Sequence, residues 1–309
     1  MQTVLLTGGT GLIGKALTQR LLKKGFRVIV LTRKMPAAPA DEGVQYALWN
    51  VKEKRIDIAA VQKADHIIHL AGAGVVDKRW TKAYKKEIQE SRTQSSALLI
   101  DTLKQNDNKV QTIVSASAIG WYGADTAESI QQGFAETAPP DDSFLGETCK
   151  LWEESIDAAT ALGKRVVKLR TGIVLSNDGG ALAEFRKPLR FGLATILGSG
   201  KQIISWIHID DLCRMYVEAI QNPNLHGAYN AVAPGAVSNK TLTLSLAQST
   251  RGKFFIPVFV PSFVLKIMLG ESSIEVLKSA TVSCEKIKQV GFAFLYPSIE
   301  AALTQLCKK

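Results

Sequence analysis

Thr7-Gly8-Gly9-Thr10-Gly11-Leu12-Ile13-Gly14 lies between the apolar run Val4-Leu5-Leu6 and an amphipathic segment over residues 15–24. Strand, glycine turn and helix therefore come in the order that a dinucleotide pyrophosphate requires. Gly8 permits a sharp turn out of the strand, Gly11 lets the backbone approach a phosphate, and Gly14 lets the helix pack closely on the sheet. The helix N-terminus presents free N–H groups and a partial positive charge. The expected contacts are Gly8, Thr10, Gly11, Leu12, Ile13 and Gly14. Glycines also collect in plain surface turns; the flanking strand and helix separate the two cases.

The next element sharpens the ligand. Arg27-Val28-Ile29-Val30-Leu31-Thr32 follows Gly25 and reads as a second buried parallel strand. It ends in Thr32-Arg33-Lys34, where a site for an unphosphorylated ribose would place an acid. A carboxylate there repels a 2′-phosphate, whereas a guanidinium pairs with one bidentately. Thr32 and Arg33 thus favour NADP(H) over NAD(H), against the alternative of a solvated basic strand end.

Strand-like and helix-like segments then alternate. Residues 64–72 read as a turn and a buried strand ending in Leu70-Ala71-Gly72, residues 81–106 as a helix, and residues 110–117 and 165–175 as further strands. This order predicts an α/β fold with a doubly wound, mostly parallel sheet whose strand ends share one edge. After Leu175 the texture turns glycine-rich, at residues 177–180, 191–192 and 198–200. The expected division is a dinucleotide-binding domain over 1–175 and a smaller, interleaved substrate-side α/β domain over 176–309. Parts of 205–235 are expected to return to the first, with residues 228–232 as a strand. Residues 36–39 read as a short loop.

Composition bounds the rest. The chain has 309 residues, 46% hydrophobic, with a formal net charge of +10. No zinc knuckle, aromatic ribonucleoprotein motif or lysine-rich tail accompanies that charge, so no nucleic-acid partner is expected. Lys78, Arg79, Lys82, Lys85 and Lys86 are placed in one helix, as a solvated face or as a guide for an anion. Cys149, Cys213, Cys284 and Cys307 are widely spaced, and no metal or disulfide framework is expected. The first strand leaves no room for a signal core, which points to the cytoplasm. Residues 254–269 are the most apolar stretch, but Pro257, Pro261 and Lys266 interrupt it; a core or a subunit contact is expected rather than a membrane span.

These segments together resemble the extended short-chain dehydrogenase/reductase superfamily, and within it the atypical NAD-dependent epimerase/dehydratase-like family with a C-terminal domain of unassigned role. The matching pieces run from the glycine fingerprint through Leu70-Ala71-Gly72, Lys78-Arg79-Trp80, Ser91-Arg92, Ser115-Ala116-Ser117, Trp121-Tyr122-Gly123 and Trp152-Glu153. They continue through Ser205-Trp206-Ile207-His208 and Leu269-Gly270-Glu271. The resemblance implies a Rossmann-type fold for NADP(H). Thr32 and Arg33 then meet the adenosine phosphate, Leu70, Ala71 and Gly72 line the dinucleotide, Glu87 and Arg92 touch its flank, and Val174 offers backbone groups to the nicotinamide. For Glu87, an exposed pairing within its lysine-rich helix is the competing reading. A small-molecule substrate of sugar-nucleotide type and a homodimer are compatible with the resemblance.

The chemistry of such enzymes uses a hydroxyl on the substrate carbonyl, a tyrosine that moves the proton and a lysine four residues later that lowers the tyrosine pKa. Ser117 fits the first role. In place of Tyr-x-x-x-Lys the chain reads Phe144-Leu145-Gly146-Glu147-Thr148-Cys149-Lys150-Leu151-Trp152-Glu153. Registering on Trp152-Glu153 puts Leu145 and Cys149 at the paired positions, registering on Lys150 instead puts Gly146 where the tyrosine belongs, and neither leucine nor glycine transfers a proton. Tyr122 and Lys150 are the substitutes to consider, against packing beside Trp121 and plain exposure. His208 is either an acid–base group or a hydrogen-bonded junction, and the junction is the better reading. His66 and His69 fit the buried face poorly and form no metal set. Two activities stay open: an NADP(H)-dependent oxidoreductase or epimerase, and a non-catalytic NADP-binding sensor or scaffold.

Overall fold

β1 (Thr3–Thr7) is buried at all five positions, because strands cover both its edges and helices both its faces. β2 (Arg27–Thr32) and β5 (His66–His69) flank it in parallel. Outside β2 lie β3 (Val44–Asn50), parallel, and the two-residue β4 (Arg55–Ile56), antiparallel. Outside β5 lie β6 (Thr112–Ala118), β7 (Arg165–Thr171) and β13 (Gly227–Ala231), all parallel. The eight strands run in the order β13-β7-β6-β5-β1-β2-β3-β4. This is the doubly wound sheet that the alternating pattern predicts. The computed structural model describes residues 1–37 and 41–308, so the loop expected over 36–39 lies partly outside the described residues.

The two-residue period of the strands sorts the core into two layers. Val4, Leu6, Val28, Val30 and Ile68 face α1 (Leu12–Lys23) and α7 (Ile209–Gln221). Leu5, Ile29, Ile67 and Ile113 face α2 (Ile58–Lys63), α3 (Lys82–Gln105) and α5 (Phe144–Asp157). Each such side chain contributes about 1.5–3 kcal/mol of burial free energy. β5 is buried on both faces, which corrects the reading of His66 and His69: no strand position there faces solvent.

Residues 165–175 are not one strand. β7 stops at Thr171, and β8 (Ile173–Ser176) leaves the main sheet to join β12 (Trp206–His208) and β9 (Gly179–Gly180). Gly172 makes the break: a Cβ there would stand 2.6 Å from the Ser205 carbonyl oxygen and 2.8 Å from Val232 Cγ1. A third core, around Trp206, is closed by α6 (Ala181–Leu189), α8 (Asn239–Arg251) and α12 (Ile299–Leu306). Two small pairs complete the strands, β10 (Leu193–Leu197) with β15 (Ile256–Val260) and β11 (Ile203–Ile204) with β14 (Val237–Ser238).

α4 (Ala127–Gln132), α9 (Ser262–Leu269), α10 (Ser273–Leu277) and α11 (Glu285–Gln289) are the remaining α-helices among the described residues. α3 begins at Lys82 under a Thr81 cap, so Lys78 and Arg79 precede the helix rather than share it. His208 caps α7 by accepting from the Asp210 amide (3.0 Å), and its Nε2 meets Gln305 Oε1 of α12 (3.0 Å). It is a junction residue. Among the described residues no helix is long and apolar enough to cross a membrane.

Candidate functional site

The glycine turn rests directly on the end of β5. Gly8 has φ +69°, and a Cβ there would meet the Leu70 carbonyl carbon at 2.9 Å and the Ala71 nitrogen at 3.1 Å. A Cβ on Gly14 would meet the Gly8 oxygen at 2.3 Å, so α1 packs against the turn itself. Gly9, which the fingerprint reading passed over, is required too: its Cβ would reach Val30 Cγ1 at 2.6 Å. The doubled glycine was the available signal. Thr10 and Gly11 are exposed, and Leu12 and Ile13 are half-buried. Gly11 is the N-cap of α1; no side chain caps the helix and no acid stands in its first turn. Free amides with no cap and no acid are the conditions under which a helix start can receive an anion.

Beneath the turn, Thr7 and His69 form a pair that sequence reasoning missed. The Thr7 hydroxyl oxygen accepts from the Leu70 and Ala71 amides, both at 3.1 Å, and stands 2.8 Å from His69 Nδ1. With its lone pairs taken by amides, the hydroxyl donates its proton to Nδ1. His69 Nε2–H then faces the Ser95 and Ser96 oxygens at 3.2 and 3.3 Å, whose own protons go to the Arg92 carbonyl. Only the neutral Nε2–H imidazole satisfies every partner. Burial, with the nearby Arg92 cation adding to it, lowers the His69 pKa to about 3.

Along the crevice, Thr32 is buried and donates to the Lys34 carbonyl (2.9 Å). Arg33 is exposed and makes no ion pair among the described residues. Gly72 lies against Arg92, whose Cζ would be 3.0 Å from a Cβ there. Arg92 is buried, stacks over Trp152 with Cζ 4.8 Å from the ring centre, and donates from Nη1 to the Ala73 and Ile88 carbonyls at 3.0 and 2.8 Å. Glu87 is exposed and pairs with Lys78 at 3.6 Å. Val174 pairs with Ile207 in the β8–β12 ladder, next to Gly180, which packs on Leu12.

Of the three side chains considered for proton transfer, two join one buried network and the third lies outside it. Ser117 is buried and donates to Glu153 Oε1 (2.7 Å). Glu153, also buried, holds Arg170 through two bonds of 2.8 and 3.1 Å. Arg170 donates to the Tyr122 hydroxyl (3.1 Å), and that hydroxyl donates to Asn230 Oδ1 (2.7 Å). Asn230 in turn donates to the Phe134 and Ser283 carbonyls. Tyr122 also stacks on Phe134, with ring centres 5.1 Å apart, and burial pushes its pKa up to about 12. Lys150 is on the outer face of α5, 3.9 Å from Glu154. The inner face carries Leu145 and Cys149, both against Gly120, and the Cys149 thiol donates to the Ala118 carbonyl at 3.6 Å. Ser117 and Tyr122 thus share one buried network, and Lys150 stands apart from it.

A parallel sheet of this order, with a glycine turn on the ends of its central strands, is the Rossmann-like architecture of short-chain dehydrogenase/reductases and sugar epimerases. The chain belongs to the NAD-dependent epimerase/dehydratase family, whose sequence model matches residues 4–232. A second model, a domain of unknown function (DUF1731), matches residues 260–306. An epimerase family protein of Staphylococcus haemolyticus, SH2119, is 35% identical, with 99% of each chain covered. The crystal structure of the human epimerase family protein SDR39U1 (isoform 2) with NADPH is similar at a TM-score of 0.84 and 28% identity, covering 99% of both chains. A nucleoside-diphosphate sugar epimerase from Corynebacterium glutamicum is similar at a TM-score of 0.77 and 30% identity, over 99% of this chain and 58% of that one.

Proposed function

We propose that the protein binds NADP(H) across the ends of β1, β2 and β5 and acts as an oxidoreductase or epimerase on a small polar substrate, with nucleotide sugars the first class to test. The observation that carries the reading is the uncapped, acid-free N-terminus of α1 behind Gly11, next to a strand β2 that is followed directly by Arg33 rather than an acid. When bound, the nicotinamide supplies a hydride donor or acceptor. Gly8, Thr10, Gly11, Leu12, Ile13 and Gly14 hold the pyrophosphate. Thr32 and Arg33 hold the 2′-phosphate, Leu70, Ala71 and Gly72 line the dinucleotide, and Val174 faces the nicotinamide. Arg92 supplies a fixed cation beside Gly72, and Glu87, paired with Lys78 ahead of α3, lies on the cofactor's flank.

Ser117 and Tyr122 are assigned a positioning role, since their protons are committed to Glu153 and Asn230. Lys150 is left out of the reaction. In this reading residues 1–175, with β13, carry the cofactor and the rest of 176–309 shapes the substrate side. A cytoplasmic location accords with four free cysteines. A sensor or scaffold without turnover is less favoured, because the resemblance to epimerase family proteins runs the length of the chain.

Titration calorimetry with NADPH and NADH tests the cofactor. NADPH should bind the wild type more tightly, by about 10- to 100-fold for a charge-assisted phosphate contact, and Arg33→Ala should erase the difference. Equal affinities in the wild type overturn the assignment of Arg33. Turnover is tested by following NADPH absorbance with sugar nucleotides and small carbonyls, together with epimer analysis of the products. Tight NADPH binding with no turnover of any of them returns the sensor reading.

A further inference from the structure

The basic run at 78–86 is largely spent inside the molecule. Lys78 pairs with Glu87, Lys86 with Glu90, and Lys85 bridges to Glu271. A second basic group, on α6 and α8, is not spent in this way. Arg186, Arg190 and Arg251 line one cleft of about 530 Å³ together with Leu189, Thr250 and Phe254. That volume lies inside the ~300–1,000 Å³ of small-molecule sites. None of the three arginines makes an ion pair among the described residues, and Glu184, the acid of α6, is held by Lys187 at 2.7 Å.

Three helices end at this cleft: α6 at Leu189, α8 at Arg251 and α12 at Leu306. Helix C-termini attract cations, which explains part of the arrangement. Arg186 donates from Nη2 to the Leu306 carbonyl (2.9 Å) and from Nη1 to Asn177 Oδ1 (2.8 Å), and Arg251 donates to the Arg190 carbonyl. The rest needs another cause. Helix C-termini carry about −0.5 charge each, so three of them offset roughly half of what the guanidiniums bring. Arg190 caps no carbonyl among the described residues, yet it stands one turn after Arg186, where like charges on a helix repel. At the rim, Phe254 is 84% exposed. Guanidiniums pair bidentately with phosphate, and an aromatic face beside them receives a planar base.

The geometry points to a second ligand site in this cleft, for a nucleoside di- or triphosphate. Its phosphates lie on Arg190 and Arg251 with Arg186 behind them, and its base lies on Phe254. α6 sets this site apart from the cofactor crevice. Gly180, the N-cap of the helix, packs on Leu12 beside the glycine turn, whereas the arginines stand at the other end of its nine residues, ~13 Å away. The site shares no residue with the cofactor reading and stands or falls without it.

Titration calorimetry on the full chain tests it, with ADP and pyrophosphate as probes in the absence and presence of saturating NADPH. ADP should bind in both conditions, and more tightly than pyrophosphate. Arg190→Ala should weaken ADP about 10-fold, and Arg190→Ala/Arg251→Ala about 100-fold. The single variant should melt as the wild type does, because the Arg190 side chain is exposed. Phe254→Ala should reduce ADP to the affinity of pyrophosphate. No ADP binding overturns the inference, and pyrophosphate binding as tightly as ADP overturns the place given to Phe254. ADP that NADPH displaces, or that Arg33→Ala weakens while the arginine pair does not, also overturns it and assigns the nucleotide to the glycine turn. Single-stranded RNA retained through these arginines without ADP binding overturns it as well, and assigns the face to a polyanion.

Discussion

Acidification from pH 7 to pH 5 is predicted to destabilise the protein through His69, a residue that holds the floor of the glycine turn. Its folded pKa is about 3 against 6.5 in the unfolded chain. Between those values the unfolded state binds a proton that the folded state refuses, so stability is full above pH 6.5 and falls as pH drops toward 3. Integrated between pH 7 and pH 5, the loss is about 2 kcal/mol from this one imidazole, at 1.36 kcal/mol per pKa unit. Burial also lowers the His66 and His208 pKa values, and their contributions have the same sign. The hydrogen bonds require the result independently: a proton on Nδ1 would face a Thr7 oxygen already accepting two amides. Urea melts of the wild type and of His69→Gln at both pH values measure the effect. The variant should be less stable at pH 7 yet lose about 2 kcal/mol less on acidification. Equal pH slopes in the two proteins refute the reasoning, and so does a nitrogen NMR spectrum showing His69 as the Nδ1–H tautomer.

Two further substitutions probe the surroundings. Gly14→Ala places a methyl 2.3 Å from the Gly8 oxygen and 2.5 Å from the Gly9 Cα; backbone must move, so a loss of about 3 kcal/mol in urea melts is expected, with NADPH binding lost in calorimetry. Glu153→Gln keeps the shape but leaves the Arg170 cation buried without its carboxylate, and should cost about 3–5 kcal/mol in the same melts. A Glu153→Gln protein as stable as wild type would mean that the network is neutral in energy.

How far these features could be read in advance depends on the distance over which their causes act. The strand–turn–helix order at the N-terminus was legible because glycine at fixed spacing and a two-residue apolar period are local signals. Arg33 was legible for the same reason, as a basic residue at a strand end. The break at Gly172 was not, because a single glycine inside an apolar run says nothing of Ser205 and Val232 arriving beside it. His69 was misread because its partners lie 62, 26 and 27 residues away. Glu153 and Arg170 stood inside quoted segments, but their pairing appears only when α5 packs on β7. For residues 254–269 the pattern gave apolarity and left core and subunit contact equally open. Phe254, Phe263 and Ile267 are exposed, which decides against the core.

The missing lysine and the position of Arg92 belong to one arrangement. Cys149, at the lysine position in the Trp152-Glu153 register, is buried, and the Arg92 cation acts on its thiol, whose pKa burial nevertheless drives up to about 12. A lysine at 149 would put a second cation into the same buried space, at a desolvation cost no nearby carboxylate offsets, since Glu153 is held by Arg170 and Lys168. Where the resemblance calls for a lysine on α5, the buried cation here is that of Arg92 on α3, stacked on Trp152. The exchange is not neutral chemically. A guanidinium on a fixed carbonyl clamp orients an anionic or carbonyl oxygen, but it does not give up a proton near neutral pH as a tuned lysine–tyrosine pair does. On the cofactor reading proposed above, this edge of the sheet is built to hold and polarise, and the proton must come from the substrate side.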